Sequence, residues 1–129
     1  MPATAMGYPD IERARAAQAA LRRIFDGYAG SRTDRRALRR VVDLCAEASD
    51  AVDDPYCREK VRMVGEYGAE LLSQPELRAR GAIAGADFLR QQIHAALELL
   101  QSRLYSLERA RRAGQLARAA FAPAGAFKR

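Results

Sequence analysis

Tryptophan is absent from this 129-residue chain, cysteine occurs twice, histidine once, and Lys60 and Lys128 are the only lysines. Each shortage removes a class of function. Two cysteines, Cys45 and Cys57, are too few for a disulfide framework or a zinc site. A di-iron bundle needs Glu-x-x-His on two helices plus two further inward carboxylates, and His94 alone cannot supply it. No apolar run approaches the roughly 18–20 residues of a membrane-spanning helix. The first ten residues, MPATAMGYPD, lack the basic start and apolar stretch of a secretory signal, so a reducing cytoplasm is the expected location. Also missing is any run in which apolar and polar residues alternate with Val, Ile, Thr or aromatics, and with it any predicted strand.

What remains is rich in Ala, Leu, Arg, Glu and Gln, all good helix formers. One all-α domain is expected, an antiparallel bundle of about four helices over residues 9–113. A disordered lead (1–8) is expected before it and a flexible basic tail (114–129) after it. Asp10 and Glu12 favour a helix start, followed by the seam Ile11, Ala14, Leu21, Ile24 or Phe25, and Tyr28, with Gln18 at a seam position. Thr33 is the expected N-cap of a second helix carrying Leu38, Val41, Cys45, Ala48 and Val52. Asp53-Asp54-Pro55 stops that helix and starts a third, with Cys57, Val61, Val64, Gly68 and Leu71 on one face. Ser73-Gln74-Pro75-Glu76 matches the S-x-x-E capping box.

The last helical pattern is the longest, from about 74 to 113, with Gly81–Gly85 as the place for a kink. Within it, Phe88 to Leu107 holds no Pro or Gly and carries the seam Leu89, Ile93, Leu97, Leu100, Leu104, Leu107. That 3-4-3-4 spacing is coiled-coil-like. Three helices of about 18–20 residues span roughly 30 Å each, and the fourth could reach twice that. If half of it extends beyond the bundle, the stripe Leu97–Leu107 would face water, which soluble monomers rarely tolerate. A second chain is the simplest cover, so the length mismatch predicts self-association or a protein partner at Ile93, Leu97, Leu100, Leu104 and Leu107.

The charge is uneven. Residues 1–102 sum to zero, and the whole net charge of +6 comes from residues 103–129, where Glu108 is the only acid. Earlier, 10–40 is basic and 43–76 acidic, an arrangement that favours antiparallel pairing of consecutive helices. The Arg and Ala bias is what GC-rich bacterial codon usage produces, so arginine content alone is no binding signal. Its placement is more informative: Arg109, Arg111, Arg112 and Arg118 have no acidic helix to neutralise them, unlike Arg35, Arg36, Arg39 and Arg40. Phosphate contact by nucleic acid is the functional reading of that cluster. Against it, no helix-turn-helix spacing or interleaved aromatic set accompanies the arginines.

No catalytic or metal-binding set emerges, and no cofactor is implied. His94 is followed by Glu98 rather than by a lysine, so it lacks the charge partner of a phosphorelay histidine. Acidic neighbours beside Cys45 and Cys57 raise a thiol pKa, the opposite of what a nucleophile needs. The sequence resembles no particular family. It reads as a non-enzymatic helical interaction module (adaptor, scaffold or chaperone-like), with a nucleic-acid-binding regulator as the alternative.

Overall fold

The computed structural model describes residues 10–28, 32–79 and 85–127, and the side chains of these except at 77–79 and 120–127. The described residues form five helices and no strand: α1 (Ile11–Gly27), α2 (Arg35–Ala51), α3 (Pro55–Leu72), α4 (Gln74–Ala79) and α5 (Ala86–Phe127). Four of them close a ring in which α1 packs on α2, α2 on α3, α3 on α5, and α5 back on α1. Cross-links show that neighbours run antiparallel. The Asp10 N–H donates to the Ala51 carbonyl (2.7 Å), and the Asp34 N–H to that of Leu72 (3.0 Å). The antiparallel bundle expected from the sequence is the fold.

Aspartates open three of the helices. The side chains of Asp10, Asp34 and Asp54 accept from the N–H groups of Arg13 (3.1 Å), Ala37 (2.9 Å) and Cys57 (3.0 Å). Each satisfies one of the donors that a helix start leaves without a partner. The cap of α2 is therefore Asp34, one residue beyond the expected Thr33. The capping box at Ser73 does not form as expected. The Ser73 hydroxyl donates back to the Ala69 carbonyl (2.6 Å), and the Glu76 carboxylate pairs with Arg35. Ser73 thus finishes α3, and Glu76 ties α4 to the start of α2.

The core is continuous through all four long helices, with Leu21, Val41, Val64, Leu71, Leu97 and Leu104 almost fully excluded from water. On α2 the buried face turns toward Leu44 and Ala51, leaving Leu38 and Cys45 only half-buried. Gln18 sits among apolar neighbours because its Nε2 donates to the Leu97 carbonyl across the α1–α5 contact (3.1 Å). A buried amide needs such a partner, and this one also fixes the register of the two helices.

Gly68 is a steric requirement. A methyl group there would stand 2.5 Å from Phe25 Cζ, whereas at Gly65 it would meet only Cys45 Sγ, at 3.6 Å. Gly68→Ala should therefore destabilise the fold by about 1–2 kcal/mol even after the gain in helix propensity. Gly65→Ala should stabilise it by about 0.5–1 kcal/mol. Thermal unfolding of the two variants should shift Tm in opposite directions; a shared direction would mean that Phe25 is not seated on α3.

The expected helix of 74–113 is two helices. α4 ends at Ala79 and α5 begins at Ala86; Gly81 falls at 80–84, outside the described residues, as does the expected lead 1–8. Gly85 is exposed, and its carbonyl accepts the Leu89 N–H in the first turn of α5 (3.1 Å). At the other end, the expected stop at Gly114 and loose tail beyond it are replaced by helix, which continues to Phe127. Gly114 costs about 1 kcal/mol in a helix, which the Ala, Arg, Gln and Leu around it offset; Pro123 and Gly125, both poor helix formers, fall only in the last turns of α5.

Candidate functional site

α5 has 42 residues, roughly 63 Å at 1.5 Å per residue, against 17 or 18 in each of α1, α2 and α3. Its contacts locate the point where the bundle ends. Along α1, Arg90 donates to the Tyr28 carbonyl (3.1 Å), His94 faces Asp26 (3.7 Å), and Arg22 pairs with Glu98 (3.3 Å). Further on, Gln101 and Leu104 share a groove with Glu12 and Arg15. α1 begins at Ile11, so it runs out beside α5 within about one turn of Leu107. On the other side, Phe88 meets Tyr67 edge-on, and Arg103 reaches Asp54, the cap of α3. α3 has no residues left to pair with anything much beyond it.

Burial follows this geometry. Ile93, Leu97, Leu100 and Leu104 are at most 1% exposed, and Leu107 is half-buried against the same core. The five residues expected to contact a partner therefore line this chain's own interior. That is a correction to the sequence reading: the seam is narrow because α1 and α3 fill it from both sides. Beyond Glu108, every described side chain from Arg109 to Ala119 is exposed except Gly114.

The register of the seam continues past the bundle, but its chemistry changes. Stepping on from Leu104 and Leu107 by threes and fours gives Arg111, Gly114 and Arg118. Leu116, 72% exposed, is the only large apolar side chain described in this overhang. No leucine stripe faces water, so the length of α5 does not by itself call for a second copy of the chain.

Electrostatics divide the four arginines. Glu108, 8% exposed, accepts from Arg111 (3.2 Å) and from Arg112 Nε (2.9 Å). Burial pushes its carboxyl pKa up, but the two guanidinium partners outweigh that and hold it below the usual range. Among the described residues, no carboxylate lies within ion-pair distance of Arg109 or Arg118; the Arg109 guanidinium lies 5.9 Å from the centre of the Tyr105 ring. The structure thus gathers Arg109, Arg111, Arg112 and Arg118 on one projecting segment. By contrast, Arg35 is tied to Glu76.

The titratable residues weighed for catalysis lie elsewhere. His94 is half-exposed and faces Asp26, while Glu98 is engaged by Arg22. Burial pushes the Cys45 thiol up to about 11, and burial together with the Asp54 carboxylate pushes Cys57 up to about 12. No group of three or more His, Cys, Asp or Glu side chains among the described residues could hold a metal ion. No helix among them is long and apolar enough to cross a membrane.

Two features escaped sequence reasoning. The Arg103–Asp54 pair joins residues 49 positions apart, and no local pattern announces it. The clamp of Arg111 and Arg112 on Glu108 was legible, because acid–base spacings of three and four place the side chains side by side on a helix. Comparison with protein families, curated proteins and solved structures finds no match to this chain.

Proposed function

We propose that this protein is a non-enzymatic helical binding module whose contact surface is the overhanging end of α5, and that its partner is acidic. One observation carries the reading: α5 outlasts the helices that bury it, and beyond Glu108 its described side chains carry arginine and no acid. The remaining bundle acts as a folded base that holds this segment. Contact through Ile93, Leu97, Leu100, Leu104 and Leu107 would require α5 to leave the core, so a protein partner is better placed on the overhang. Pairing of two overhangs is disfavoured, since both are basic.

Arg109→Glu with Arg118→Glu tests the reading, because both side chains are exposed and leave the Glu108 clamp intact. Dye-labelled polyglutamate, standing for an acidic protein face, and a dye-labelled DNA duplex serve as probes. Binding of at least one probe, weakened about tenfold or more in the double variant with Tm unchanged, is the expected result. Failure of both probes to bind, or equal binding by the variant, removes the overhang as the contact surface.

A further inference from the structure

Resting on that reading, we infer that the acidic partner is duplex DNA, entered by α5 through the major groove. The arrangement of charge around the helix favours this occupant. At 100° per residue, Arg109 and Arg118, the two that Glu108 does not engage, start from opposite sides of α5, while Arg111 and Arg112 converge on the Glu108 carboxylate. Free cationic groups on opposite sides suit a helix lying between two phosphate strands better than a helix resting on one acidic face.

The girth of α5 favours the same occupant. The residues between the arginines are Ala110, Ala113, Gly114 and Ala117, with Gln115 and Leu116 the two larger side chains. A helix so sparsely clothed is slim, and the major groove of B-form DNA, about 12 Å wide, admits an α-helix. The overhang from Arg109 to Phe127 is roughly 28 Å long, a little under one turn of duplex. A-form RNA has a deep, narrow major groove that excludes such a helix. Single strands call for stacking aromatics, and Tyr105, the one aromatic whose side chain is described near the overhang, already lies beneath Arg109.

The Glu108 clamp fits this use. It holds the Arg111 and Arg112 guanidinium groups at one carboxylate, beside the point where α5 leaves its neighbours. Their charge is partly offset when free, and a phosphate can replace the carboxylate as guanidinium partner.

The test is fluorescence anisotropy with a DNA duplex of about 24 base pairs, an RNA duplex of the same sequence, and polyglutamate, all on the full chain. With three to four phosphate contacts, raising salt from about 50 to about 200 mM should weaken DNA binding roughly 40- to 150-fold. Arg109→Glu with Arg118→Glu should reduce that salt sensitivity to about 12-fold or less, and Arg109→Lys with Arg118→Lys should restore most of it. DNA should bind at least about tenfold tighter than either other probe. Polyglutamate binding that depends on Arg109 and Arg118, without DNA binding, overturns the DNA assignment and leaves the binding module standing. RNA bound as tightly as DNA overturns groove entry. If no probe binds, both proposals fall.

Discussion

Leu100→Arg combined with Leu104→Arg should unfold the entire chain, α1 to α3 included. On sequence grounds the pair would strip away a partner and leave residues 10–72 helical. The structure makes both leucines core, with at most 1% of either exposed. Removing a buried leucine costs about 2–5 kcal/mol, and placing an unpaired guanidinium in the space adds several more. Two such changes exceed the roughly 5–15 kcal/mol by which a domain of this size is stable. The loss cannot stay on α5. Helices of 17 or 18 residues are marginal alone, and their apolar faces meet the same leucines. Far-UV circular dichroism at 25 °C should show most of the helix signal gone. Leu97→Ala is the graded control, with an expected cost of about 2–5 kcal/mol and a single cooperative transition. A double variant that keeps full helicity would mean that the seam is not the core.

The second large effect centres on Asp54, whose carboxylate has two tasks. It caps α3 through the Cys57 N–H and takes two hydrogen bonds from Arg103, Nε at 3.1 Å and Nη2 at 2.8 Å. Arg103 also lies against the Tyr56 ring, 5.8 Å from its centre. A two-pronged guanidinium–carboxylate pair is among the stronger hydrogen-bonded arrangements, and this one pins the α2–α3 corner to α5. Asp54→Ala should cost about 2–3 kcal/mol, combining the lost cap with a stranded Arg103. Asp54→Asn keeps capping ability but not the charge, and should cost about half as much.

The pair also gives a pH dependence with a definite sign. Hydrogen bonds from Arg103, followed by the Cys57 N–H, outweigh burial and lower the Asp54 carboxyl pKa from 3.8 to about 2. A carboxyl pKa depressed in the folded state contributes stability above its unfolded value and loses it as pH falls. The contribution should be complete above about pH 4 and should disappear as pH drops through about 2. Allowing for solvent at Arg103, it is worth about 1–2 kcal/mol. Urea titrations at pH 5 and pH 2 should show a smaller pH effect in Asp54→Asn than in the unaltered chain. An equal effect in both would assign the acid sensitivity to other carboxylates.

Local features were legible in the sequence where local physics decides them. The α3 face of Cys57, Val61, Val64, Gly68 and Leu71 is buried as its spacing requires, and Asp10 caps α1. Errors arose where a distant group competed for the same atom. Glu76 was within reach of a capping box, but Arg35 took its carboxylate. The five seam residues were correctly read as one apolar face and wrongly assigned to a partner. Periodicity identifies a face that must be covered, and cannot say whether the cover lies in the same chain. The basic end was visible as charge, but its helical form was hidden by Gly114, Pro123 and Gly125; the cost of Gly114 is too small to stop a helix of good formers, and the other two fall in the last turns.

Amide hydrogen exchange on the free chain tests the central claim most directly, because the account divides α5 at Glu108. The amides of Ile93, Leu97, Leu100 and Leu104 should exchange only through global unfolding. Those of Arg109 to Ala119 should exchange at least about a thousandfold faster, through local fraying of a helix with nothing packed along it. Uniform protection from Leu104 through Ala119 would contradict the account, for it would mean that the segment is already buried and has no surface to offer an acidic partner.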